Sequence, residues 1–541
     1  MECDSKFDVI IVGTGLSECI LAGALAKAGQ KVLHLDTAEY YGAEYAAFNF
    51  TEFIEKQVDF SWIHQPSPTH PENDSEKSKA STNAQSAQDE SAPISNSITF
   101  EQKIKTLNQL ISKSPNIKLQ LEKLLHLKEI STVQWDTLEP NVLDQVALLV
   151  DAFQSSRNFS LEIIPLLLYC RGPLVNLLVS SHAGPFLEFK MLEDIYLEWD
   201  GVLEKVPGSK EDVFASKTTD LVGKRYLMKF LSMVLDYKEN ESVWKDYQNK
   251  PFLEFLASQK LNEKMSAVII HAIALVGNVN KSKTMTTLEG LQLTHTHLSS
   301  LGRYGKSAFL MGIYGSGSEL CQAFSRYSAV YGSTYILGFE LERFDIQQDM
   351  ITVTGQGKTF EAKKLVAGAK YIDLIFEKSV TETTQLLRST IISKAPIIGY
   401  DSLALAVLPP QFEVRSEGIF ALQSNSTIKT CPDGFYTITL ISDGVATTMK
   451  DHQEALATLT RHYNESHPDG LTALHVFHHT NHTKVKAQDG WVHDRVAVCQ
   501  SPAPGIYAEH HVHEAQTLFE QLCPGGEFYP EQIVTDMGGD E

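Results

Sequence analysis

The sequence predicts an α/β (α+β) protein in which a parallel-sheet domain of the dinucleotide-binding type carries a smaller all-helical domain. Three observations lead there. Residues 7–12 (FDVIIV) form an apolar run of strand length; Gly13, Thr14 and Gly15 turn it into an amphipathic helix over 18–28 that Gly29 stops, and a second strand at 32–35 ends in Asp36. A right-handed crossover returns such a chain parallel to its first strand, which is how dinucleotide-binding sheets begin. Over 218–277 the pattern turns to helix: Leu227, Phe230, Leu231 and Val234 fall at i, i+3, i+4 and i+7, and 265–276 is apolar nearly all round before Gly277. From about 330 onward, β-branched and aromatic runs (STYIL, DMITVTG, FYTITLIS) alternate with turns up to a last helix near 513–523.

Between these landmarks, 101–126 and 140–180 read as helices, and 186–190 and 195–204 as strands. Residues 65–97 are Pro, Ser, Asn, Asp, Glu, Lys, Gln and Ala with almost nothing to bury. Such a stretch does not offset its ordering entropy, so it is expected to be a disordered surface insertion. The organisation predicted is 1–64 as the opening of sheet domain I, 65–97 as the insertion, 98–205 as helices and strands leading back into domain I, 206–282 as helical domain II, and 283–541 as the remainder of domain I with its tail.

Composition excludes several classes of function. With 541 residues, 43% hydrophobic and 21% charged, the chain has ample material for a core. Its net charge of −21 repels phosphate backbones and anionic surfaces, so nucleic acid is not an expected partner. The 7 cysteines are odd in number, scattered and never in CxxC spacing, which suits reduced thiols and a cytoplasmic protein. The N-terminus lacks a basic leader, no apolar stretch reaches the roughly 20 residues a spanning helix needs, and the MGGDE terminus has no cysteine to prenylate.

A dinucleotide fingerprint, G-x-G-x-x-G, uses its first glycine for the turn, its second for close approach of the pyrophosphate and its third for close packing of helix on strand. Here Gly13 and Gly15 are present, but Glu18 stands at the third position. Its bulk, and its charge at a helix N-terminus where a phosphate would bind, both oppose FAD or NAD. The expectation is a sheet that keeps this fold without a cofactor, with Asp36 merely capping the second strand.

The run DVIIVGTGLSECILAGALAKAGQKVLHLDTAEYYG resembles the opening of the Rab GDP-dissociation inhibitor and Rab escort protein superfamily, in which Glu replaces the third glycine and Tyr-Tyr-Gly follows the second strand. A second block, 301–337 (LGRYGKSAFLMGIYGSGSELCQAFSRYSAVYGSTYIL), is similar to the other Rab-facing block of that family. The resemblance implies a FAD-binding-like, GDI-type sheet domain without cofactor. Three features resemble the escort branch: the segment 206–231 with its Asp-Val-Phe and Ser-Lys, the polar insertion, and the tail AQTLFEQLCPGGEFYP. Two positions depart from the family: Gly42-Ala43 stands for Gly-Gly, and Gly223 for Glu.

The resemblance implies a non-catalytic accessory subunit that binds unprenylated, GDP-bound Rab GTPases and presents them to the Rab geranylgeranyltransferase heterodimer. It would then shelter the geranylgeranyl lipid and deliver the Rab during transient membrane contact. The alternatives are a Rab GDP-dissociation inhibitor that recycles Rabs and, from another class, a flavin-dependent oxidase. On the Rab side the resemblance carries over Tyr41, Glu319, Arg326 and Thr334; the plain alternative is that Glu319 and Arg326 pair with each other. On the prenyltransferase side it carries over Phe214, with Leu221 and Leu227 beside it. A lipid pocket is expected among apolar helices at Phe230, Leu231, Val234, Val268, Ile269 and Ile273, positions that equally suit ordinary helix packing. His475, His478, His479, His482, His510, His511 and His513 lack cysteine or carboxylate partners at ligand spacing and read as surface or sheet histidines, so no metal is expected.

Because the 65–97 stretch buries little and loop closure entropy grows slowly with length, deleting residues 66–96 should leave the thermal midpoint within a few degrees of the parent. Differential scanning calorimetry checks this; a deletion that abolishes cooperative unfolding shows that the segment packs.

Overall fold

In the computed structural model of the chain, the residues described are 5–57, 100–124, 140–208, 221–347, 349–376, 381–411, 415, 417–442, 444, 446–466, 471–485, 495–502 and 505–529. The insertion at 65–97 and Phe214 lie outside them.

The apolar run predicted to open the fold becomes strand Lys6–Val12 at the heart of a seven-stranded sheet. Strands Val32–Leu35 and Lys358–Gly368 flank it in parallel, with Ile10 opposite both Leu33 and Leu365. Thr334–Ile336 adds in parallel outside Val32–Leu35 and forms that edge of the sheet. Ile351–Gly355 and Arg343–Ile346 continue the other side as an antiparallel meander, and Val496–Cys499 pairs with the end of Lys358–Gly368. Val9–Val12 and Val32–Leu35 are buried on both faces, which is why apolar residues dominate these two stretches.

The helix after the glycine turn, Leu16–Lys27, is not the amphipathic helix expected over 18–28. Every residue from Leu16 to Ala26 is buried, because helices Ser316–Val330 and His510–Leu522 cover it. Small residues let these neighbours come close: a side chain at Gly23 would collide with Tyr327 and Tyr529.

A second seven-stranded sheet runs Ala473–Val485, Thr381–Ser393, Tyr436–Ser442, Ile419–Asn425, Ala404–Leu408, Asp194–Trp199 and Val202–Lys205, antiparallel except where Ala404–Leu408 meets Asp194–Trp199. Against it lies the helical region, from Leu221–Leu235 to Thr287–Ser300. Its core gathers Phe230, Val234, Trp244, Phe252, Phe255, Ile269 and Leu291, and partly buried Leu298 extends it past residue 282. A separate unit contains Phe100–Lys113, Pro115–Leu124 and Pro140–Gln154, which bury Leu107, Ile111, Leu121 and Val150.

The helix expected over 140–180 ends at Gln154 and resumes only at Pro173–Ser181. Pro165 has no amide proton for a helix. Instead the Leu167 amide reaches the Ile506 carbonyl at 2.7 Å, and Leu168–Tyr169 pairs with Phe309–Gly312. Tertiary pairing overrides local periodicity here.

The second sheet encloses a polar knot. The Ser389 hydroxyl lies 2.9 Å from His452 Nδ1 and 2.9 Å from His475 Nε2. Burial holds His475 down at about 3 and His452 well below its usual range, so both rings are neutral at physiological pH. Neutral imidazoles need this hydroxyl, since a buried polar group that loses its partner keeps its full desolvation penalty. Ser389→Ala should therefore lower the unfolding free energy by about 2 kcal/mol, read as a shifted midpoint in a urea melt. An unchanged midpoint refutes the reading of Ser389 as the shared partner.

Candidate functional site

The glycine turn after the first strand is closed from within. Gly13 has φ +109°, a conformation open to glycine, and its amide donates to Leu35 O at 2.8 Å. Asp36 does more than cap the second strand. Its two carboxylate oxygens accept from the Thr14 amide and hydroxyl (2.7 Å each), the Ala38 amide (2.9 Å) and the Tyr371 hydroxyl (2.8 Å). Burial pushes its pKa up, but Lys370 and these donors outweigh burial and hold it below the usual carboxylate range. Burial pulls the Lys370 pKa down, but Asp36, Tyr371 and Glu44 outweigh it and raise it above the ordinary lysine value. The acceptor that would take a ribose hydroxyl is thus already occupied.

Glu18 fills what remains. Its side chain folds back over Gly15 and against Gly368, so a methyl group at either glycine would sit 2.6 Å from a Glu18 oxygen. The space left among Gly13, Glu18, Glu44, Lys370 and His511 is ≈ 20 Å³, room for about one water, whereas ligand pockets run to about 300 Å³ or more. These residues do not fit a dinucleotide. One part of the sequence reading needs correction: burial pushes Glu18 up to about 8, with Glu514 and Glu44 adding to the effect, so at neutral pH it is a protonated acid. It excludes the cofactor by occupying space, not by charge.

His511, read from sequence as a surface or sheet histidine, lies in helix His510–Leu522 and is buried. Its Nε2 faces the Tyr45 hydroxyl at 2.6 Å and its Nδ1 the Ser17 hydroxyl at 2.7 Å, while that hydroxyl also donates to Glu514. One proton arrangement satisfies all three contacts: Tyr45 donates to Nε2, Nδ1 donates to Ser17, and Ser17 donates to the carboxylate. Sequence reasoning missed this chain because its members lie at 17, 45, 511 and 514. The tail beyond the helix folds back as well, with the Tyr529 hydroxyl donating to Ile20 O at 2.9 Å.

Tyr45 connects this support to an exposed surface. Its amide donates to Gly42 O at 2.7 Å, next to Tyr41, and its side chain packs so tightly on Gly317 that a Cβ there would lie 2.8 Å from Tyr45 Cβ. Gly317 opens helix Ser316–Val330, and its amide donates to the Glu162 carboxyl at 2.9 Å. That helix carries Glu319 and Arg326 and runs into edge strand Thr334–Ile336. Tyr41, Glu319 and Thr334 are half-buried and Arg326 is exposed. Tyr41 meets Tyr335 edge to face at 5.9 Å, which places it beside Thr334 at the sheet edge. Glu319 accepts from Gln322 at 3.2 Å, while the Arg326 guanidinium lies over the Phe186 ring at 4.4 Å. The Glu319–Arg326 pair considered as an alternative is not among these contacts.

Leu221 opens helix Leu221–Leu235, and Leu227 is half-buried on it. Phe230, Val234, Ile269 and Ile273 are members of the helical core, with Leu231 and Val268 packed against it. Val268–Ile273 is wound as a π-helix, ending near Leu275 at φ +51°. Among the described residues no three His, Cys, Asp or Glu side chains are grouped to hold a metal ion, and no helix is long and apolar enough to cross a membrane.

The sequence pattern of the family described as GDP dissociation inhibitor matches residues 3–69 and 144–462. A Mus musculus protein named Rab proteins geranylgeranyltransferase component A 2 is 27% identical, with 99% of each chain covered. The Drosophila melanogaster component A is 27% identical over 98% of this chain and 92% of its own. A probable secretory pathway GDP dissociation inhibitor 1 of Schizosaccharomyces pombe is 26% identical over 82% of this chain and 81% of its own. Among solved structures, Rab GDI from Plasmodium falciparum superposes with a TM-score of 0.67 at 18% identity, covering 96% of this chain and 99% of the other. An oxidoreductase from Methanosarcina mazei reaches 0.52 at 11% identity, with 95% and 100% covered, which shows the shared fold.

Replacing Glu18 by Gln keeps its shape and removes its titration. A carboxyl whose folded-state pKa is raised contributes its full stability below the unfolded value near 4.5 and loses it as pH rises towards about 8. Glu18→Gln should match the parent near pH 4.5 and exceed it by about 2 kcal/mol or more at pH 8. Urea melts across that range check this; a constant difference rules out the buried neutral acid.

Proposed function

The chain belongs to the GDP dissociation inhibitor family, and from that premise we propose that it is an escort of Rab GTPases. It binds an unprenylated, GDP-bound Rab, presents it to the Rab geranylgeranyltransferase heterodimer as component A, and delivers the prenylated product. The observation that carries this reading is correspondence over the whole length: 99% of the chain aligns with 99% of a component A, tail included, whereas the Schizosaccharomyces pombe GDP dissociation inhibitor aligns with 82%. Escort is therefore favoured over recycling. The loop filled by Glu18 bears on the third alternative, the flavin-dependent oxidase, because a dinucleotide sheet without room for its dinucleotide does not hold a flavin there.

In this proposal Tyr41, Glu319, Arg326 and Thr334 form the Rab-facing platform. Tyrosine and arginine are common anchors at interfaces, and a guanidinium fork suits a carboxylate on the GTPase. The helical region, 206–282, is proposed as the lipid-holding domain. A geranylgeranyl chain of roughly twenty carbons left in water costs on the order of 10 kcal/mol, at ~0.8 kcal/mol per methylene. Phe230, Leu231, Val234, Val268, Ile269 and Ile273 offer apolar surface for it, and since they pack together in one core, the tail enters by parting these helices. The protein is proposed to act in the cytoplasm with transient membrane contact.

Phe214, with Leu221 and Leu227, is proposed as the prenyltransferase contact. A lone aromatic in a polar stretch suits an anchor, and truncating an anchor removes roughly 2 kcal/mol or more from its own interface. Phe214→Ala should bind Rab as the parent does yet support little geranylgeranylation at limiting enzyme, with activity returning as enzyme is raised. Transfer of labelled geranylgeranyl to a Rab reads this out. Equal activity at every enzyme concentration removes Phe214 from the interface.

A further inference from the structure

We propose that Phe186 is a positioning residue of the platform: its ring holds the Arg326 guanidinium flat, with the N–H edge turned outward for a carboxylate on the bound GTPase. The inference rests on the reading of helix Ser316–Val330 as the Rab-facing element. What carries it is the placement of an exposed arginine over an aromatic ring whose own segment is fastened to the strand leading into the same helix.

Arg326 is exposed, and among the described residues no carboxylate pairs with it; its recorded contact is the Phe186 ring, 4.4 Å from the guanidinium carbon. A long side chain with no partner samples many rotamers, and ordering it on binding opposes affinity. Stacking removes part of that freedom beforehand. A guanidinium stacked by its face keeps its in-plane donors free, and those are the ones that grip a carboxylate in a bidentate pair.

Phe186 is built to serve as a fixed plate. The residue stays 38% exposed, unusual for a phenylalanine that only fills a core. It ends the short 3₁₀ turn Gly184–Phe186, where Pro185 limits the backbone and the Phe186 and Leu187 amides donate to Ala183 O and Gly184 O at 3.2 and 2.9 Å. Immediately after it, the Ile313 amide donates to Glu188 O at 3.0 Å, and strand Phe189–Met191 pairs antiparallel with Phe309–Gly312, Phe189 opposite Gly312. Phe309–Gly312 leads within a few residues into helix Ser316–Val330. Ring and arginine are thus registered on one scaffold although they are far apart in sequence.

Glu319, Gln322 and Arg326 follow one another along that helix at i, i+3 and i+7, so they share a face. Glu319 is occupied by Gln322. The guanidinium, Phe186 and the exposed side chains of Val330 (73%) and Tyr331 (47%) lie towards the other end. The partner that fits this end has a carboxylate for Arg326 beside an apolar side chain.

The test is a double-mutant cycle on the full-length protein, reading the equilibrium dissociation constant for a purified, GDP-loaded Rab GTPase, with thermal midpoints in parallel. An exposed cation–aromatic contact supports an effect of about threefold to fivefold for Phe186→Ala, with Phe186→Tyr close to the parent because it keeps the ring. Arg326→Ala should weaken binding by about tenfold or more, and adding Phe186→Ala to it should change binding by less than about twofold, since the plate then has nothing to hold. Independent, multiplying effects of the two substitutions overturn the positioning role. So does full-strength binding by Phe186→Ala while Arg326→Ala is weak. If Arg326→Ala itself binds normally, the platform reading fails, a result distinct from failure of this inference. A loss of binding in Phe186→Ala accompanied by an equal fall in midpoint also counts against it, as that is the mark of a fold residue.

Discussion

The rest of the molecule is arranged around a glycine turn that has been filled with its own side chains. In a sheet of this kind the N-terminal end of the first helix is left open for a pyrophosphate. Here Glu18 lies in the gap as a neutral acid, Asp36 is bound by Thr14, Ala38 and Tyr371, and Lys370 is held by Asp36 and Glu44. A protein that no longer needs access to this turn is free to bury it. Helices Ser316–Val330 and His510–Leu522 close over Leu16–Lys27, and the tail reaches Ile20 through Tyr529.

That burial reaches the neighbouring surface through one side chain. Tyr45 stands where the two meet, bonded inward to His511 and packed outward on Gly317. The Tyr41 turn and the helix with Glu319 and Arg326 are therefore referenced to one buried side chain. The filled glycine turn and the surface carrying Tyr41, Glu319 and Arg326 are joined through the packing of Tyr45.

The helical region follows different physics. Its core is rich in phenylalanine and aliphatic side chains, and it includes a π-helical turn at Val268–Ile273, a winding often found where helices serve a function. A core of this composition and a cradle for a long hydrocarbon chain are made from the same residues. Periodicity at 227–234 therefore supported both readings equally, and packing places Phe230, Val234, Ile269 and Ile273 inside the core with Leu231 and Val268 against it.

Local patterns in the sequence determined a good deal. The strand, turn, helix and strand over 6–35 follow from a short apolar run, two glycines and a helix stop, all of which act over a few residues, and the substitution at position 18 already argued against a cofactor. Tertiary structure decided what depends on distant partners. Whether Glu18 carries a charge depends on burial beneath a helix that begins at 510; whether 140–180 is one helix depends on Ile506 and on strand Phe309–Gly312. His511 gains its partners from Ser17 and Tyr45, and Arg326 an aromatic neighbour from Phe186. The physical reason is common to all four. Propensity and periodicity are properties of neighbouring residues, whereas desolvation and hydrogen-bond partnership are set by whichever groups the fold brings together, and spacing along the chain does not encode them.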